Sequence, residues 1–144
     1  MNEDELLAFA RSVFEAQPFS RFLQAELTAA GFGSAEIRIR NRPELQQQHG
    51  FVHGGVISYL ADNALTFAGG LVLGGDALTA EFKINYGKPA VGGALIARAE
   101  AVLTTKRQAV CQCSVYVTDE AGGERLIAVA QGTIVAAVRE NQSQ

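Results

Sequence analysis

The sequence predicts an α+β domain in which an antiparallel sheet wraps around one long central helix. Residues 54–68 are helical in period, apolar on nearly every side, and carry a single charge, Asp62. Four successive strand-like runs follow, separated by turn residues, and residues 22–39 upstream alternate apolar and polar positions around Gly31-Phe32-Gly33 as a hairpin does. An antiparallel sheet can keep one face covered and one face wet, and a very apolar helix is a natural cover for its concave side.

The elements follow in order. Asn2 is placed to cap a first helix with Asp4 and Glu5 in its first turn; Leu6, Leu7, Ala10, Val13 and Phe14 share one face, and Pro18 marks its end. After the hairpin, residues 41–51 are polar and irregular, with Pro43 and a glutamine run, and read as a loop. The apolar helix comes next, broken at Gly69-Gly70 and Gly74-Gly75. Strands are expected at 77–86, 94–103, 109–118 and 125–138, successive neighbours joined by short turns. No repeat or linker divides the chain, so residues 1–144 are expected to form one domain.

Composition narrows the function. The chain has 144 residues, 48% of them hydrophobic and 19% charged, as expected of one well-buried core. A net charge of -3 leaves no basic footprint for nucleic acid. Cys111 and Cys113, two apart in a strand, face the same way and cannot easily bridge each other; with no further ligands beside them they read as small apolar fillers, not a metal site. The N-terminal residues are acidic and do not resemble a secretory signal. Residues 52–75 are apolar enough to suggest a membrane span, but Asp62 and Asn63 lie at their centre, and an unpaired carboxylate in lipid is costly. The expectation is a cytoplasmic protein with no membrane contact.

Within the helix, Ser58, Asp62 and Thr66 recur at i, i+4, i+8 and share a face. A buried carboxylate without partners is heavily penalised, so Asp62 either orders the core through neighbouring hydroxyls and amides or serves chemistry. His53-Gly54-Gly55 stands at the helix start. Glycines there let a ligand approach the backbone, and the first N–H groups of a helix lack internal acceptors and can polarise a carbonyl oxygen.

Residues Gln47-Gln48-His49-Gly50-Phe51-Val52-His53-Gly54-Gly55, followed by Leu60-Ala61-Asp62-Asn63-Ala64, resemble the signature of hotdog-fold thioesterases of the PaaI type. The runs 78–86, Lys88-Pro89-Ala90 and 95–99 are similar to the same family, and the resemblance extends from about Phe22 to Val138. It implies a hotdog fold and hydrolysis of an acyl-CoA thioester, with coenzyme A entering as part of the substrate and no other cofactor or metal. It also implies roles. Asp62 falls at the catalytic carboxylate, as general base or nucleophile. The Gly54 N–H falls where the thioester carbonyl is polarised, beside Gly55. Gln47 falls where an Asn or Gln orients water or the carbonyl. Thr66 and Thr79 match hydroxyl positions found in different members, while His53 and His49 are expected to support the loop around the substrate. Gln48 departs from the glycine of many members and changes the local loop shape. Lys88, Lys106 and Arg107 are basic surface residues to which no coenzyme A contact is assigned.

Eight residues separate Gly54 from Asp62, roughly 12 Å along a helix rising 1.5 Å per residue. A reacting carbonyl must lie about 3 Å from both its donor and its attacker, so one helix cannot supply both. If both act, they come from different subunits, and a homodimer is the minimum unit. Family members often assemble further, which implies a dimer of dimers. Two other functions fit the same elements: a hotdog acyl-CoA hydratase or dehydratase, which would need a histidine working beside the acid, and an acyl-CoA-binding domain without turnover.

Overall fold

A computed structural model of the chain describes residues 1–137; the expected end of the last strand at Val138 and the tail at 139–144 lie outside them. Helix α1 (Glu3–Glu15) opens on a capping box: the Asn2 side chain accepts the Glu5 N–H at 2.8 Å, and the Glu5 carboxylate accepts the Asn2 N–H at 3.2 Å. Pro18 does more than follow α1. Its fixed φ and missing N–H suit the first turn of a helix, and it begins the short α2 (Pro18–Leu23). The hairpin forms from β1 (Glu26–Gly31) and β2 (Ser34–Arg40), and the polar loop after it holds one 3-10 turn, Pro43–Leu45.

The central helix α3 (Gly54–Leu73) is longer than the sequence predicts, because Gly69-Gly70 do not break it. A Cβ on Gly69 would lie 2.6 Å from the Ile134 Cβ, so the glycine is there to let helix and sheet approach. An interior helical glycine costs roughly 1 kcal/mol against alanine; here it permits tight packing of the helix against its sheet. The helix stops at Gly74, whose φ of 81° only glycine adopts freely.

Strands β3 (Ala77–Tyr86), β4 (Ala94–Thr104), β5 (Gln108–Thr118) and β6 (Glu124–Ala136) complete a six-stranded antiparallel sheet in the order β1-β2-β4-β5-β6-β3. Strands β3 and β4 are therefore not neighbours, contrary to the expectation of simple succession. The connecting residues 87–93 cross the strand ends instead. Gly87 and Lys88 donate to the Ile127 carbonyl, Ala90 accepts the Val52 N–H, and Gly93 accepts the Asn41 N–H, which delivers β4 to the open edge of β2. The sheet curls around α3, which packs against all six strands. By length and composition α3 could cross a membrane, but Leu60, Ala61, Ala64, Leu65 and Ala68 are sealed against Ile37, Leu95, Val115 and Ile134. This is the hotdog architecture, one long helix held in an antiparallel sheet.

Two details of β3 position the site. A short link, Gly74 to Asp76, turns the chain so that β3 runs back along α3. Between Thr79 and Glu81 the pairing with β6 slips by one residue at a β-bulge. The slip lets Ala77 and Thr79 on one side of it, and Phe82 and Ile84 on the other, all turn inward.

Candidate active site

Asp62 is half-buried in the middle of α3, on the side that β3 covers. The Thr79 hydroxyl donates to Asp62 Oδ1 at 2.6 Å. The Thr66 hydroxyl lies 2.8 Å from Thr79 Oγ1 and donates to the Asp62 backbone carbonyl, also at 2.8 Å. Asp62 Oδ2 has no protein partner among the described residues. One carboxylate oxygen is thus fixed and the other is available to take a proton or attack a carbon. Ser58 shares this face as predicted, but its hydroxyl meets Tyr86 at the other end of β3, at 3.1 Å, rather than Asp62.

The second group of residues gathers at that start. His53 is the N-cap: its Nδ1 accepts the Gly55 N–H at 2.8 Å, which leaves Nε2 to carry the ring proton. A Cβ on Gly55 would come within 3.0 Å of that nitrogen, so glycine lets the imidazole fold over the helix end. The Gly54 N–H meets no acceptor among the described residues, and it stands at the positive end of a 20-residue helix. The loop before it is closed by the Gln46–Val52 bridge and by the Gln47 N–H on the Phe51 carbonyl at 2.8 Å. Gln47 Oε1 accepts the His49 backbone N–H, and the Gln47 NH₂ has no partner among the described residues, whereas the His49 ring is exposed.

The structure therefore brings Asp62, Thr66 and Thr79 together, and separately Gln47, His49, His53, Gly54 and Gly55. Because α3 is unbroken between Gly54 and Asp62, about 12 Å of helix separates the two groups within one chain.

Residues 49–138 match the family model of the thioesterase superfamily, a segment that runs from the loop before α3 through the last strand. The chain belongs to the thioesterase superfamily. A thioesterase family protein from Silicibacter pomeroyi is 32% identical and superposes with a TM-score of 0.86 over 92% of this chain and 98% of its own. A conserved protein from Pseudomonas aeruginosa is 26% identical, with a TM-score of 0.77 over 88% of this chain and 98% of its own. The E. coli PaaI protein from the phenylacetic acid degradation operon, 18% identical, shares the fold with a TM-score of 0.80 over 94% of this chain and 96% of its own. No functionally curated protein matches the chain.

In this thioesterase-superfamily chain two features of the site escaped sequence reasoning. Tyr86, at the far end of β3, donates its hydroxyl to the Gly54 carbonyl at 3.1 Å and lies 3.1 Å from Ser58 Oγ, so it braces the helix start from the side. Nothing in its local sequence marks it; only the return of β3 along α3 brings it there. Asn63, next to Asp62, ties α3 to the N-terminal helices: its Nδ2 donates to Gln17 Oε1 at 2.9 Å and to the Tyr59 hydroxyl at 3.1 Å. Tyr59 in turn meets the buried Ser20 hydroxyl at 2.5 Å. Burial pushes the Tyr59 phenol above its ordinary pKa, against the pull of the hydrogen bonds from Ser20 and Asn63.

Proposed function

We propose that this member of the superfamily is a cytoplasmic acyl-CoA thioesterase in which Asp62 drives hydrolysis and the Gly54 N–H holds the thioester oxygen. The single observation that carries this reading is the Asp62 carboxylate, pinned through one oxygen by Thr79 and open through the other. A carboxylate that only ordered a dry core would be penalised for leaving one oxygen without a hydrogen bond.

In the general-base route, Asp62 Oδ2 takes a proton from water as the water oxygen bonds to the thioester carbon. The carbonyl oxygen becomes an oxyanion on the Gly54 N–H, with the Gln47 NH₂ as a second donor. Collapse of this intermediate breaks the carbon–sulfur bond and releases coenzyme A thiolate, which takes up the proton, leaving the free acid. In the nucleophilic route Asp62 itself bonds to the carbon, expels the thiolate and forms an anhydride that water then opens. Single turnover in ¹⁸O-water tests the second: label in Asp62 arises only when water opens such an anhydride at the Asp62 carbon, and the general-base route leaves none there.

The 12 Å between Gly54 and Asp62 supports a site shared between two copies, and β3 supports the means of pairing. Among the described residues it is a ten-residue edge strand bonded to β6 on one side only, with Leu78 and Tyr86 largely exposed. Long unpaired edges recruit further strands. A two-fold pairing along β3 would give two equivalent sites, and such dimers would pair again into a tetramer. The test is thiol release from acyl-CoA by wild-type and Asp62→Asn protein. Wild-type release with loss in the variant supports the reading, and equal rates in both would overturn it. An enoyl absorbance appearing without thiol would favour the hydratase instead.

A further inference from the structure

Between α1, the C-terminal half of α3 and the first residues of β3 lies a cavity of about 890 Å³. It adjoins the Asp62 cluster, because Thr66 forms part of its wall. We propose that this cavity receives the acyl group, and that the substrates are neutral, medium- to long-chain acyl thioesters whose length is set by Phe9, Val13 and Leu71; this rests on the thioesterase reading above.

The wall is made of apolar side chains. On α1, Leu6, Phe9, Ala10 and Val13 recur at i, i+3, i+4 and i+7 and line the cavity as one stripe. Phe9 and Val13 are 52% and 44% exposed, large apolar groups left uncovered by the chain's own packing. Across from them α3 presents Leu71 and also Gly70, where an added Cβ would make only ordinary contacts. Packing therefore does not demand glycine at 70, and its effect is to leave the cavity open.

The polar groups present are committed or unfavourable to a charged ligand. The Thr66 hydroxyl donates to the Asp62 carbonyl. Both ends of the Gln17 amide face Asn63, and its oxygen also accepts from Ser20. The one charged side chain among the lining residues, Asp76, is acidic and is itself engaged. The one cationic group among those residues is the Met1 α-amino group, so a dicarboxylic acyl group would bury its free carboxylate with no lysine, arginine or histidine there to meet it. Size argues against small acyl groups: a cavity of about 150 Å³ already accepts benzene, and this one approaches the upper end of the 300–1,000 Å³ range of ligand pockets.

The experiment is a thiol-release panel of butanoyl-, octanoyl-, dodecanoyl-, phenylacetyl- and glutaryl-CoA with wild type, Val13→Trp and Phe9→Ala. Thermal melts establish that each variant is folded. Each buried methylene is worth up to about fourfold in binding, so kcat/KM should rise steeply from butanoyl to dodecanoyl. Val13→Trp should cut the dodecanoyl-to-butanoyl ratio at least tenfold, and Phe9→Ala should raise the dodecanoyl-to-octanoyl ratio above that of wild type. A wild type that favours butanoyl-, phenylacetyl- or glutaryl-CoA, or variants that leave the chain-length profile unmoved, would overturn the inference while the thioesterase reading stands. If no substrate releases thiol, that reading fails, and calorimetric binding of dodecanoyl-CoA against butanoyl-CoA to wild type and Val13→Trp decides the cavity alone. Tighter dodecanoyl binding abolished by the tryptophan supports it, and equal binding overturns it.

Discussion

Asp62 and Thr79 show how much one hydrogen bond can decide. Loss of a positioned acid or base costs roughly 10²- to 10⁴-fold, so Asp62→Asn should lower kcat by at least about a hundredfold in a thiol-release assay, with a Tm near that of wild type. Thr79→Val removes the donor to Oδ1 and should cost about one to two orders of magnitude in kcat, since misplacement by an ångström is expensive; Thr79→Ser should restore most of it. A merely structural threonine would show the opposite pattern, with valine tolerated. The two cysteines are the contrast. Burial pushes the Cys111 and Cys113 thiols up to about 11 and about 12, and both face the helix side of β5. Neither should react with iodoacetamide at neutral pH until the protein is unfolded, as intact mass will report.

At the scale of elements, the close fit of α3 on β6 is the most exposed to mutation. Gly69→Ala would push a methyl into Ile134, and overpacking of this kind costs about 1–3 kcal/mol, readable by urea titration. On the outer face, Arg98 joins Glu36 at 2.6 Å and Glu124 at 2.6 Å while lying over the Tyr116 ring. Burial raises the Glu36 pKa, but the hydrogen bonds from Arg98 and Thr28 outweigh it and hold it below its ordinary value. A depressed folded pKa stabilises above the unfolded value of about 4.3 and that gain is lost as pH falls further. Arg98→Met should therefore lower Tm at pH 7, with the gap from wild type closing below about pH 4. The same elements show what sequence conveys. Strand positions were legible because alternation survives in each run, and α3 because one lone charge on an apolar helix stands out. Its continuation through Gly69-Gly70 was not, since a glycine that ends a helix and one that admits a neighbouring isoleucine look alike until the neighbour is known. Asp62, Thr66 and Thr79 were legible as residues, but their contact depends on the bulge at Thr79–Glu81, which no local pattern announces.

At the scale of the whole molecule, the proposed reaction joins Asp62 to a Gly54 about 12 Å away along the same helix, and so calls for a second copy. Light scattering should give a mass at least twice the 15.3 kDa chain. Mixing Asp62→Ala with Gln47→Ala and allowing exchange should restore about a quarter of wild-type activity, because half the dimers are mixed and each has one intact site of two. Failure after verified exchange would place Asp62 and Gln47 in the same chain's site. Thr79 belongs to the outermost strand of the sheet, where fraying begins in an isolated chain. A lone monomer would have a loose margin and, with it, a wandering carboxylate, so dilution should blunt specific activity even before the two halves of the site have parted.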